Sequence, residues 1–152
     1  MRFVPLDPAL VSAARQGAPD ANGQLPERAI SDGDGNPCRS CLRNIETGAP
    51  MLILAVRPFT TITPYAELGP VFLHAESCAP HADAATPEVL TRSVRYLMKG
   101  YDAGQRIVGG TGGVVSAGDV AARARELLED GRVAFVDVRS ASNNCWLARA
   151  VR

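Results

Sequence analysis

Two hydrophobic periods run along this chain. Met51 to Arg57 is apolar on both faces, which predicts a central, doubly covered β-strand. Gly69 to Ala75 predicts a second core strand. Val71, Leu73 and Ala75 share one face of it, and Phe72 and His74 the other. In Arg92 to Tyr101, Val94, Tyr96 and Met98 alternate with Arg95, Leu97 and Lys99, so a strand is expected. The helical period is clearest after Ser116. Val120, Ala124, Leu127 and Leu128 form one stripe, Ser116 and Asp119 have capping-box spacing, and Gly131 ends the helix. A shorter helix starts at Pro8, with Asp7 as N-cap and Leu10, Val11 and Ala14 as its apolar face, and stops at Gly17.

Shorter pieces complete the pattern. Met1 to Leu6 and Glu27 to Ser31 are strand-like. Gln105 to Val108 and Val114 to Val115 flank a glycine turn, and Val133 to Arg139 pairs with Trp146 to Val151 across a polar turn. Neither a repeat nor a boundary is visible. The expected fold is a single α+β domain over residues 1–152, with a mostly antiparallel sheet of about six or seven strands and two helices.

Composition narrows the function classes. The chain has 152 residues, 46% of them hydrophobic, enough for a real core. Net charge is zero, with no basic cluster, so no nucleic-acid partner is expected. No apolar run approaches the ~20 residues of a membrane helix, and the N-terminus carries no secretory pattern. A C-x-x-C without such a signal implies a reducing cytoplasm.

The candidate chemistry lies in four cysteines and two histidines. Cys38 and Cys41 follow the turn-rich SDGDGNP segment. His74 and Cys78 end the second core strand, and His81 follows. Cys145 precedes Trp146, the only tryptophan. The leading expectation is a small-molecule pocket, in an enzyme or a binding domain, built from the Cys38 loop, the Tyr65 loop and His74. In it Cys38 is the reactive thiol, His74 the donor or base, Arg39 and Arg95 anion anchors, and Tyr65 and Glu67 the lip. One alternative is a Cys3His metal site from Cys38, Cys41, His74 and Cys78, with zinc as the candidate cofactor. The roughly 30-residue gap between the pairs is wider than short zinc modules use. Thiol redox chemistry is a thinner version of that alternative, because Thr47-Gly48-Ala49-Pro50 leaves no room for the long helix that activates a redox C-x-x-C. The remaining alternative is an interaction domain with buried, inert cysteines. Gly109 to Gly113 fits no phosphate-loop pattern and is expected to be a hairpin turn, and Asp137 interrupts the apolar alternation of its strand.

Several runs resemble an uncharacterised bacterial family, domain of unknown function 1203. They are Pro37-Cys38-Arg39-x-Cys41-Leu42, Pro64-Tyr65-x-Glu67-x-Gly69-Pro70-Val71-Phe72-x-His74-x-x-x-Cys78, the stretch from Arg95 to Tyr101-Asp102, and the late Asn-x-Cys145. The resemblance spans nearly the whole chain. It implies a stand-alone domain whose polar signature is Cys38, Arg39, Tyr65, His74, Cys78 and Cys145. Ser40 stands where the family often has histidine, which removes one candidate ligand or base.

Overall fold

A computed structural model describes residues 1–83 and 85–152. Ten regular elements follow in order: β1 (Arg2–Val4), α1 (Pro8–Arg15), β2 (Glu27–Ile30), β3 (Pro50–Val56), β4 (Gly69–His74), β5 (Arg95–Tyr101), β6 (Gly113–Ser116), α2 (Val120–Glu129), β7 (Phe135–Ser140) and β8 (Trp146–Val151). All strand pairs are antiparallel. The α+β class and the two helices are as expected. The strands number eight, however, and divide into a five-stranded sheet, ordered β1-β8-β7-β5-β6, and a three-stranded sheet, ordered β2-β3-β4.

The division follows from burial. In the large sheet, Tyr96, Met98, Val136, Val138, Ala148 and Ala150 pack beneath Val120, Ala124, Leu127 and Leu128 of α2. In the small sheet, β3 is central. Its Leu52, Leu54 and Val56 join Val71 and Leu73 of β4, and this face takes Leu6, Val11 and Ala14 from α1 and its approach. Trp146 of the large sheet enters the same core and ties the sheets together. The opposite face of β3 is less enclosed than expected, with Ile53 and Ala55 only half-buried.

Local signals act largely as anticipated. Asp7 caps α1 by accepting from the Ala9 N–H at 2.8 Å. Ser116 and Asp119 do interact, at 2.6 Å between side chains, but they brace a single 3-10 turn, so α2 begins only at Val120. Gln105 to Val108 is not a strand. Only Ile107 bridges to Tyr101. The glycine-rich turn is structural: Thr111 hydrogen-bonds the Gly100 N–H at 2.9 Å, and a Cβ on Gly100 would lie 3.0 Å from the Thr111 side chain. Among the described residues no helix is long and apolar enough to cross a membrane.

Candidate metal centre

The segment from Pro37 to Asn44 folds into a tight knuckle. Pro37 and Asn44 bridge its ends, the Cys38 N–H donates to the Arg43 carbonyl at 2.9 Å, and the Leu42 N–H donates to the Cys38 carbonyl at 3.0 Å. Leu42, immediately after the second cysteine, has φ 54° and is fully buried. This left-handed backbone is costly for a residue with a Cβ, and the buried leucine side chain holds it there. The turn brings the backbone N–H groups of Cys41 and Ser40 near the Cys38 sulfur, where they favour its thiolate.

The knuckle docks against β4 rather than continuing the chain away from it. Cys38 forms a parallel bridge with Phe72, and the Arg39 N–H donates to the Phe72 carbonyl at 3.0 Å. His74, two residues on, therefore stands beside the knuckle, and its own N–H reaches Cys38 Sγ at 3.4 Å. Cys78 returns from the end of β4. The four ligand atoms of Cys38, Cys41, His74 and Cys78 all lie within 4.8 Å of one another. Cys38 Sγ and Cys78 Sγ are 3.8 Å apart, and Cys41 Sγ and His74 Nδ1 are 3.7 Å apart. A tetrahedral zinc site with Zn–S near 2.3 Å has S···S edges of about 3.8 Å. The wide sequence gap is bridged by the β3–β4 hairpin.

Two further residues complete the site. Glu46 Oε2 lies 3.1 Å from His74 Nε2, which fixes the ring with Nδ1 facing the sulfurs. Arg15, in the last turn of α1, places Nη2 3.1 Å from Cys78 Sγ and donates Nε to the His74 carbonyl at 3.2 Å. Three thiolates around a divalent ion would leave one negative charge, which this guanidinium is placed to offset. Neither residue carried a sequence signal, because each is a common type in an unremarkable local setting.

Without a metal the thiols share protons. The Cys38 thiol is pushed down to about 4, first by the hydrogen bond from Cys41 and then by backbone N–H groups, while burial opposes the shift. Cys41, which retains the proton, is driven up by the same hydrogen bond and by burial. Burial lowers the pKa of His74, but hydrogen bonds to Glu46 and Cys38 outweigh it, and the net shift is upward.

The other candidates lie elsewhere. Tyr65 and Glu67 precede the opposite end of β4 from His74. A six-residue strand separates its ends by about 20 Å, so a single pocket with Tyr65 at its lip and His74 as base does not form. Tyr65 stacks under Arg106 at 4.8 Å, and Glu67 pairs with Lys99 at 2.7 Å. Arg95 is exposed on β5, because Tyr96 and Met98 take the inward positions. Arg39 is 2% exposed and donates Nε to the Trp146 carbonyl at 2.9 Å. His81 lines the hollow beside the cluster but is not part of it.

A family model described as "Protein of unknown function (DUF1203)" matches residues 35–152, from just before the knuckle to the C-terminus. The chain belongs to this family. All four clustered residues of this DUF1203 chain fall within the matched span, whereas Arg15 lies before it. No curated protein and no solved structure matched the chain.

Proposed function

We propose that this DUF1203 domain binds one zinc ion through Cys38, Cys41, His74 and Cys78, and that the ion stabilises the junction of the knuckle with β4. The observation that carries this reading is the convergence of three sulfurs and one imidazole nitrogen within 4.8 Å, two of whose separations, 3.8 and 3.7 Å, are near a tetrahedral zinc edge. Four protein ligands fill the coordination shell, which is the pattern of a structural site rather than a catalytic one with an open position. Glu46 on the far nitrogen of His74 is the outer partner that histidine ligands ordinarily have. A redox pair is less well supported, because no long helix follows Cys41 to stabilise a reactive thiolate.

Native mass spectrometry of full-length protein purified without chelator tests this, with a thiol count on the same sample. The expected result is one zinc per chain, with Cys145 reactive and the other three thiols protected until chelator is added. A metal-free mass with all thiols reduced overturns the proposal. A mass lower by two hydrogens also overturns it, in favour of a disulfide-forming pair.

A further inference from the structure

Cys145 is the cysteine that the metal cluster leaves out. It is half-buried at the end of the β7–β8 turn, where its carbonyl accepts from the Ser140 N–H at 2.9 Å. Asn144 before it takes φ 58°, a left-handed conformation that asparagine tolerates better than most residues. The thiol itself has only a weak acceptor, the Asn143 carbonyl at 3.8 Å.

A cavity of about 620 Å³ opens on Cys145 at the seam between the two sheets. Pro70 and Phe72 of β4 line it from the small sheet, and Leu147 of β8 from the large one. The volume is within the range of small-molecule sites. Arg39 and Arg92 also line this cavity, and no aspartate or glutamate does. Arg92 is paired with Glu88 at 2.9 Å, whereas Arg39 is in no ion pair among the described residues.

Arg39 turns one free donor toward this space. Its side chain is 2% exposed, and Nε and Nη1 donate to the carbonyls of Trp146 and Pro37. Nη2 has no acceptor in the chain, yet it is not among the unpartnered polar atoms sealed from solvent. Its remaining surface therefore opens on the cavity that Arg39 lines. The guanidinium carbon lies 5.6 Å from the centroid of the Phe72 ring, so the charge and the ring form adjacent parts of one wall. Burial lowers the pKa of Arg39 to about 10, and the Cys145 sulfur opposes that shift more than any other charge, which puts the two within electrostatic reach. A buried guanidinium with an idle donor and no counter-ion suits an acidic group supplied from outside.

We propose that Cys145 takes up a small acidic thiol as a mixed disulfide, with the acid group on Arg39 Nη2 and the carbon chain against Phe72 and Leu147. The co-reactant is a small acidic disulfide, R–S–S–R. Cys145 loses its proton to solvent, and its sulfur attacks one sulfur of the reagent. The R–S–S–R bond breaks as the Cys145–S–R bond forms, and the departing thiolate takes up a proton as R–SH. One disulfide is consumed and one is made, so no further oxidant enters. Arg39 selects the reagent by charge, since a positive potential focused in a cleft draws an acidic molecule ahead of a neutral or basic one. The site stands independently of the metal proposal, because it uses none of the four clustered residues.

Three disulfides of similar size and different charge test this: dithiodipropionate, which is acidic, hydroxyethyl disulfide, which is neutral, and cystamine, which is basic. Full-length protein purified without chelator is reacted with each, and the rate at Cys145 is followed by peptide mapping, which counts the other thiols separately. Each rate is divided by that of the same reagent with a capped peptide of residues 141–147, which carries no charged side chain and removes differences between leaving groups. The normalised rate with dithiodipropionate should exceed that with hydroxyethyl disulfide at least about fivefold, and cystamine should fall below both. Arg39→Gln should remove most of this preference. Asn143→Asp, at an exposed position on the cavity wall, should reduce it about twofold by charge repulsion. Equal normalised rates for the three reagents, or no modification of Cys145 in the folded chain, overturn the proposal. It also falls if Arg39→Gln keeps the full preference or, should that variant not fold, if Asn143→Asp does.

Discussion

Leu127 and Leu128 on α2 are about as well buried as Cys38 and Cys41 in the knuckle, at 6% and 5% exposed against 0% and 8%. The two regions hold together differently. The α2 side packs aliphatic and aromatic groups against a five-stranded sheet. Its stability comes from apolar area removed from water, and neither protons nor metal ions change that area. The knuckle buries thiols and a left-handed leucine, and leans on a strand from the other sheet. It is closed by thiols and an imidazole, groups that protons and metal ions can bind. Burial alone therefore does not say how a region responds to its surroundings. The chemistry of the buried atoms does.

The sharpest way to break the comparison is to remove a ligand from one side only. Cys38→Ser should abolish zinc retention and cost more than about 3 kcal/mol, since metal binding to such a site is coupled to folding. Chelator should reproduce the effect in the native chain. Hydrogen exchange should then rise in 31–49 and 74–83 while β7, β8 and α2 stay protected. Uniform loss of protection would show that the two regions are one cooperative unit. The converse is Leu128→Ala, which should lower stability by about 3 kcal/mol in denaturant titration and leave zinc content unchanged.

The smallest effect sharpens the comparison by touching the metal site from outside. Glu46→Ala should weaken zinc affinity about tenfold in a competition assay with a chromophoric chelator, with little change in the metal-free melting temperature. Acidity should separate the regions in the same direction. The folded pKa of His74 is raised, so in metal-free protein its protonated form contributes stability that is complete below about 6.5 and is lost as pH rises through the raised value. Metal binding needs Nδ1 and all three sulfurs deprotonated. The gap in melting temperature between zinc-loaded and metal-free protein should therefore widen from about pH 6 to about pH 8. A gap that narrows over that range would contradict the ligand assignment.

Much of this was legible from local pattern. The stripe of α2, the apolar run of β3, the alternation of β5 and the Asp7 cap are encoded within a few residues, and each element formed near its expected bounds. The four clustered residues were also visible as the right types in two pairs. What misled was distance along the chain. Tyr65 and His74 are nine positions apart, and an extended strand drives them to opposite ends of β4. Cys38 and His74 are separated by 36 positions and meet, because the knuckle bridges to Phe72.

By itself, then, the sequence determined the elements, the α+β class and the inventory of thiols, imidazoles and arginines, since periodicity and residue chemistry are local properties. Only the tertiary structure decided which of them are neighbours. It divided the strands into two sheets, brought Glu46 to His74 and Arg15 to Cys78, and put Arg39 and Cys145 on the wall of one cavity. Those pairings depend on register and docking between distant segments, which are fixed by the packing of whole faces and not by any short run of residues.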